Sequence, residues 1–585
     1  MRVVLDRFAG PDFFSRGGSR DLACLHTEFD LSDLSVFEVA DCESTPDRDG
    51  PKSDTHGLRE FERAARKPGE PTTTVQLLIA VKQENQGKLD SHWWFYRIFC
   101  PHLNPAYCFQ MDVGTVPTEQ ALQAMTTAFQ GNPRLGAVAS SIMPPPPSGP
   151  SDLLHCWQYV SFANTTLLDW PAENAVGYLS VVPGQLSAIR WEAISGRAID
   201  GAQEEGWDPL AVYFKGLGAL TPYESMLYAA EDRVLCREIV SDPQADWTIS
   251  HIDRAMAVTD PCNSWAELLR QRKRWSNGYM ACRVNFIKKL PGFIANPTVS
   301  AHRKIRSATA GLYHSVMLVN DWLVTAMSIL LLHALTGHAS SLVARFSWAS
   351  SGLRASFWAA MCALLVQFII CYRGSLSARS LAFFRFSIAL QGSVFAVSLC
   401  VALLFGRTME LIPTTAFTAV ALPLASLMGH RRQTRALLTS VPIVAITGCF
   451  VTSLMWMYAV CNAHDSSWGT KGLISAPGAE QKQGTGAKAG SMSFRRFRTG
   501  YLSIWIVINL CFVVVFDTWF GFERLDAVIA LQVMNVVVML FGLICRASTR
   551  LFTGTGTDDL LRERRPAAAP GGAVQTVGDS RVQPS

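Results

Sequence analysis

A chain of 585 residues, 49% hydrophobic and with a mean hydropathy of +0.17, is too apolar for an ordinary soluble enzyme and too polar for a pure transporter. A net charge of +5 does not point to nucleic acid, and 15 scattered cysteines without a C-x-x-C pair indicate neither a disulfide frame nor a zinc site. The apolar residues are unevenly spread: residues 1–300 are rich in charge and 308–545 are mostly apolar, which predicts a soluble domain followed by a membrane domain.

Met1–Gly18 contains no h-region and is not expected to act as a signal peptide. Residues 1–70 are polar, with an Asp/Pro/Gly-rich run from Asp41 to Pro71, and are expected to be irregular. Val75–Val81 is an apolar run of strand length. Asp90–Phe99 is aromatic and expected to be helical. Tyr107–Asp112 reads as a strand ending in an acid. Gly136–Ile142 is another strand, stopped by Pro144–Pro147, and Leu153–Leu168 a helix. Tyr178–Val182 leads into a Pro183-Gly184 turn. This alternation predicts an α/β domain with a largely parallel sheet, whose ligands sit at the carboxyl ends of strands. Asp112 is at such an end.

Seven apolar stretches follow: about 308–335, 355–372, 383–405, 411–428, 437–461, 501–522 and 525–545. A polar loop, 462–500, separates the fifth from the sixth, and 546–585 reads as a disordered tail. Basic flanks (Lys288, Lys289, Arg303, Lys304, Arg306, then Arg431, Arg432 and Arg435) suit the cytosolic face of a lipid membrane. Seven spans would put Arg431-Arg432 and Arg495-Arg496 on opposite faces. The expected number is therefore six or seven, with 437–461, broken by Pro442 and Gly448, as the re-entrant or interfacial stretch.

Four motifs carry chemistry. Asp112-Val113-Gly114-Thr115 puts an acid on a small-residue turn, where a divalent cation can meet a diphosphate. Alone, it is more often a turn aspartate. Glu231-Asp232 follows a helical segment and can supply a general base, although acidic pairs on helix surfaces are usually solvated. Gln271-x-x-Arg274-Trp275, within a cationic cluster, offers planar donors to phosphate and a flat face to a sugar. Its competing reading is a basic amphipathic helix at the membrane surface. Pro183-Gly184 allows close backbone approach to a ligand, or is a simple turn. The order of these motifs within about 165 residues, ending where the membrane begins, strengthens each.

Over residues 36–545 the chain resembles the processive family 2 glycosyltransferases, and within them the chitin synthases. The resemblance is carried by Lys82-Gln-Glu-Asn-Gln-Gly-Lys88, Ser91-His-Trp-Trp-Phe95, Asp112-Val-Gly-Thr115, Gly177-Tyr178 through Ala188, Ala230-Glu-Asp-Arg-Val-Leu235, Gln271-Arg-Lys-Arg-Trp275 and His464-Asp-x-Ser-Trp468-Gly-Thr-Lys-Gly472. It implies a GT-A-like α/β glycosyltransferase domain over 71–307 and an all-α multi-pass transmembrane domain over 308–545. The implied activity is inverting transfer of N-acetylglucosamine from UDP-GlcNAc to a growing chitin polymer. Asp112 would ligate Mg²⁺ or Mn²⁺, and Asp232, beside Glu231, would be the base. Lys82, Gln271 and Arg274 would bind UDP, Trp275 would stack on the acceptor, and Pro183, Gly184 and Trp468 would line the substrate site. The catalytic domain would be cytosolic, at the plasma membrane, and a homo-oligomer is allowed. The family's T-x-Y-N-E and D-G-R motifs do not occur upstream of Val75. This predicts an N-terminally truncated domain, with an inactive remnant or partner subunit as the alternative. A synthase of another β-linked polysaccharide is a lesser one, and Lys273, at an x position of its motif, is expected to tolerate change.

Overall fold

The structure is a computed structural model. It describes residues 87–196, 207–406, 411–428, 431–465, 487–520 and 525–553, together with the backbone of four upstream strands. The chain divides into two units, Met1–His92 and Trp93–Ser585.

In the first unit, β1 (Leu22–Asp30) pairs antiparallel with β4 (Thr74–Lys82), with Leu22 opposite Lys82 and Asp30 opposite Thr74. Two short strands, β2 (Phe37–Glu38) and β3 (Arg59–Glu60), pair with each other. The segment 1–70, expected to be irregular, therefore contains strands. Ala23, Leu25, Thr27 and Phe29 carry the period-two pattern that a polar average conceals. Lys82 ends β4, and its side chain lies outside the described residues.

The second unit opens with a five-stranded sheet in the order β5-β8-β7-β9-β6. These strands are β5 (Tyr107–Met111), β6 (Thr115–Pro117), β7 (Leu135–Met143), β8 (Leu186–Arg190) and β9 (Thr248–Thr259). All nine residues of β7 are buried, as expected of a central strand reading Leu-Gly-Ala-Val-Ala-Ser-Ser-Ile-Met. Helix α1 (Ala121–Gly131) lays Ala121, Met125 and Phe129 over Leu135, Val138, Leu186 and Ala257. That four-residue spacing puts all three on one face. The sheet is mixed, which corrects the largely parallel expectation. β7 runs parallel to β9, while β5–β8, β7–β8 and β6–β9 are antiparallel. Alternation sets direction only when each helix crosses the sheet once. Between β7 and β8 the chain passes through α2 (Leu153–Asn164), a π-helical turn and a second helix (Trp170–Ala175), and then returns reversed.

Two short helices, α3 (Pro222–Tyr228) and α4 (Glu231–Val240), precede β9, and α5 (Trp265–Ala295) leads to the membrane region. There follow α6 (Ala301–Leu342), α7 (Ser347–Tyr372), α8 (Ala378–Phe405), α9 (Leu411–Leu427), α10 (Arg431–Cys461), α11 (Ala487–Phe520) and α12 (Leu525–Thr553). Among the described residues, five helical stretches are long and apolar enough to cross a bilayer: Ala301–Leu342, Ser347–Tyr372, Ala378–Phe405, Gln433–Cys461 and Met492–Phe516. Outward side chains such as Trp348, Leu404 and Trp519 are almost fully exposed, which suits lipid rather than water.

The count of five is below the six or seven expected. α9 has 17 residues, a length of about 25 Å at helical rise, short of a ~30 Å hydrocarbon core. In α12 the apolar run is Val536–Thr549. Both helices also meet the domain built on the five-stranded sheet: Leu422, Ala425 and Leu543 cluster with Met143, Tyr159 and Leu168. Arg546, 2% exposed, donates to Ala425 O (2.9 Å) and to Asp253 of β9 (3.1 Å). Helix α10 touches the same domain near both of its ends. Leu437 and Val441 join Tyr159 and Ala163. At the far end Ala459 O accepts from Asn277 of α5 (2.8 Å).

Candidate active site

The strand β5 delivers Asp112 just past its end, and the turn that follows is closed by the Thr115 N–H donating to Asp112 O (3.2 Å). Gly114 has φ +83°, which an L side chain resists. A Cβ built there would stand 2.6 Å from Asp260 Oδ2. The Asp260 carboxylate thus hangs over the turn that Asp112 begins. Sequence reasoning missed Asp260; its only signal is the acid ending β9, which pairs β6 beside that turn. Two exposed carboxylates are hard oxygen donors, the complement Mg²⁺ or Mn²⁺ takes when phosphate oxygens fill the remaining positions. No group of three or more metal-ligating side chains occurs among the described residues, so this turn by itself does not form a protein-only cage.

The segment Gly177–Gln185 ties this turn to the second acidic motif. The Asp112 N–H donates to Gln185 O (3.2 Å). Pro183 and Gly184 are buried behind it. At the other end, Ser180 Oγ accepts from Arg233 Nη1 (2.7 Å). Arg233 follows Asp232, whose Oδ1 accepts the Arg233 N–H (2.9 Å). Glu231 and Asp232 form the first turn of α4, where the helix dipole favours a carboxylate. Glu231 is buried and Asp232 partly buried, so Asp232 is the more accessible of the two.

The cationic cluster sits in α5, begun by Ser264, which caps the Glu267 N–H (3.2 Å). The helix is not a surface amphipath: Leu268, Leu269 and Met280 are in the core with Leu454, Tyr458 and Cys461 of α10. Its 100° step per residue sends the four polar side chains apart. Lys273 is 4% exposed and donates to Asp465 Oδ2 (2.5 Å). The motif's x position is therefore a buried anchor, against the expected tolerance. Arg272 lies in an aromatic box, 4.5 Å from the Trp275 ring, 5.0 Å from Trp157 and 5.8 Å from Phe162. Its Nε and Nη2 are buried without a hydrogen-bond partner, and burial lowers its pKa to about 10, leaving it charged at neutral pH. Gln271 and Arg274, one turn apart, remain partly exposed, and the Gln271 Oε1 is buried without a partner. Phe162 meets the Trp275 ring edge-on at 6.2 Å. Arg272 lies over one face of that ring, and Trp275 remains partly exposed. Trp468 lies outside the described residues.

Helices α4 and α5 meet closely. A Cβ at Gly278 would stand 2.7 Å from the Ala230 Cβ, at the residue preceding Glu231-Asp232. The candidate base and the tryptophan helix are thus held together without an intervening side chain.

Residues 57–290 match the family described as chitin synthase-like glycosyltransferase domain. Chitin synthase 2 of Mycosarcoma maydis is 26% identical over 434 residues, covering 68% of this chain and 39% of the relative. Chitin synthase 1 of the same organism is 28% identical over 445 residues, 69% of this chain and 46% of the relative. Chitin synthase 2 of Cryptococcus neoformans var. grubii is 27% identical over 437 residues, with shares of 68% and 45%. The chain spans less than half the length of these relatives.

Proposed function

We propose that the chain, whose residues 57–290 match the chitin synthase-like glycosyltransferase domain family, transfers N-acetylglucosamine from UDP-GlcNAc to the end of a growing β-1,4-linked chitin chain. The observation that supports this reading is the close approach of Ala230, two residues before Asp232, to Gly278 of the helix that carries Gln271-x-x-Arg274-Trp275. In this reading Asp232 takes the proton from the acceptor C4 hydroxyl as that oxygen attacks the anomeric carbon. Glu231, buried behind it, holds the start of α4. Gln271 and Arg274 bind the diphosphate, and Arg274 offsets charge as UDP leaves. Trp275 stacks on the acceptor ring. Pro183 and Gly184 let backbone approach the sugar, with Lys82 and Trp468 as further substrate contacts. Asp112 and Asp260 would hold Mg²⁺ or Mn²⁺, which when bound offsets diphosphate charge. Single displacement inverts the anomeric carbon, and repeated cycles feed one polymer into the membrane region.

The chain reconstituted in lipid nanodiscs with UDP-GlcNAc is expected to yield a chitinase-sensitive polymer. The Asp232→Asn variant should make none while UDP affinity stays within about twofold. Polymer from that variant would refute the base assignment. No transfer by the unaltered chain would favour an inactive remnant or a partner subunit. A product resistant to chitinase and cut by cellulase or hyaluronidase would favour another β-linked polymer.

For the membrane region we propose six crossings with the glycosyltransferase domain cytosolic, at the plasma membrane. α9 and α12 serve as the return crossings from α8 and α11, the shorter α9 being matched to its span by local thinning of the bilayer. α10 starts and ends on the cytosolic side. This reading is supported by the contacts of Arg546, Ala425 and Leu437 with the catalytic domain. It puts both Arg431-Arg432 and Arg495-Arg496 inside.

A further inference from the structure

The mechanism leaves a buried ionic chain unused. Glu173, 2% exposed, accepts the Ser180 N–H (2.8 Å) and the Ser180 hydroxyl (2.9 Å). The same hydroxyl is met by Arg233 (2.7 Å). Glu173 also accepts from the Tyr279 hydroxyl (3.2 Å). The Tyr279 oxygen accepts from Arg283, and Arg283, 3% exposed, donates to Asp321 Oδ2 (2.5 Å). The Tyr279 ring lies between the two guanidiniums, 3.9 Å from Arg233 and 3.7 Å from Arg283. A small cavity runs alongside, lined by Tyr178, Ser180, Arg233, Tyr279, Arg283 and His314. The Arg283 Nε and His314 Nδ1 are buried there without a protein partner, a setting for an ordered water.

This chain of bonds joins the Trp170–Ala175 helix, which carries Glu173, to four elements that must keep register during transfer. Ser180 is in the Gly177–Gln185 segment that bonds Asp112. Arg233 adjoins Asp232. Tyr279 is one helical turn beyond Trp275. Asp321 belongs to α6, where the chain enters the membrane. Burying Glu173 and Arg283, with Arg233 and Asp321 partly buried beside them, is costly unless all four are paired, so stability alone does not account for them. Apolar side chains of the same volume would pack the four elements as tightly but would not fix their registration.

We propose that Glu173, Arg233, Arg283 and Asp321 are positioning residues, a polar clamp that registers the catalytic acids and the acceptor helix against the first membrane helix. This rests on the glycosyltransferase reading above. In its terms, the clamp keeps Asp232 within reach of the acceptor hydroxyl while the polymer is held in the membrane exit. Arg283–Asp321 is its membrane-side latch, and Ser180 is the joint between the two halves.

The test uses the full chain in lipid nanodiscs. Asp321→Asn should lower kcat for UDP release on the order of tenfold or more while UDP affinity changes less than about twofold. Ser180→Ala, which keeps the backbone bond to Glu173 and should not disturb folding, should lower kcat severalfold with the same split. Arg283→Asp combined with Asp321→Arg should exceed both single reversals in kcat. Wild-type kcat in Ser180→Ala and Asp321→Asn, or equal losses of kcat and UDP affinity, would overturn the clamp. If the unaltered chain shows no transfer, the failure belongs to the proposed activity. The clamp is then read by amide hydrogen exchange of residues 231–240 on Ser180→Ala and Asp321→Asn, which should accelerate while α7 and α8 stay unchanged. Unchanged exchange in 231–240 would overturn it.

Discussion

Gly278→Ala is the sharpest probe of the site, because one methyl group separates stability from catalysis. The added Cβ would stand 2.7 Å from the Ala230 Cβ, 3.2 Å from the Ala230 N and 3.3 Å from Met226 O. Carbon atoms in contact need about 3.5–4.0 Å, so α4 and α5 must separate by about 1 Å. None of these atoms ends a flexible side chain that could swing away. Overpacking of this kind costs about 1–3 kcal/mol, and the better helix propensity of alanine returns about 1 kcal/mol. The net loss of stability is therefore small, about 0–2 kcal/mol. The catalytic effect is larger. A displacement of about 1 Å at a reacting group can cost about 100-fold, or roughly 2.7 kcal/mol of barrier. Gly292→Ala in the same helix is the control, since no atom lies within 4 Å of its Cβ. The assay is polymer synthesis from labelled UDP-GlcNAc alongside thermal unfolding in detergent. Gly278→Ala should keep its Tm within a few degrees and lose most turnover, while Gly292→Ala keeps both. Wild-type turnover in Gly278→Ala would refute the claim that this contact sets the base.

Three further outcomes follow from the geometry. Asp465→Ala leaves the buried Lys273 ammonium without its partner, whereas Lys273→Met leaves a carboxylate that is about half exposed. Asp465→Ala should therefore lower Tm more than Lys273→Met, and the reverse order would refute the anchor. Asp169 is held near pKa 7 chiefly by burial, then by the charges of Glu173 and Asp321, against Arg283 and the Asn164 amide. Folded Asp169 keeps a proton that the unfolded chain has released above about pH 4, so stability should fall as pH rises from about 4 to 7. Asp169→Asn should flatten the slope of Tm across that window; an unchanged slope would remove Asp169 as its source. An epitope inserted between Leu427 and Arg431 should be reached by antibody only from the side of the catalytic domain, and labelling from the opposite side would refute six crossings.

Much of the architecture is legible in residues that answer to a single environment. β7 is buried along its whole length and reads as a continuous apolar run; Asp112 follows a strand; the tryptophan motif lies inside a helix. What escaped the sequence depends on which surface a side chain meets. Lys273 stands at an x position of its motif and so reads as tolerant, yet it is buried against Asp465, 192 residues away. Asp260 carries no pattern of its own and gains meaning from Gly114, whose positive φ brings the turn beneath it. The ionic clamp was invisible for the same reason: Glu173, Ser180, Arg233, Tyr279, Arg283 and Asp321 come from five elements.

The membrane region makes the point in reverse. An apolar helix has one composition whether lipid or protein covers it, so α9, α10 and α12 cannot be told apart by hydropathy. The discriminating residue is Arg546. A guanidinium 2% exposed in an apolar helix requires acceptors, and it finds the Asp253 carboxylate and the Ala425 carbonyl. Lipid tails could supply neither. The Arg546 end of α12 is therefore fixed by an ion pair with β9, and α9 is fixed with it through Ala425. If those two ends are cytosolic, α10 begins on the same side on which Asn277 and Asp465 place its end. The positive-inside conflict then resolves without moving a single basic residue.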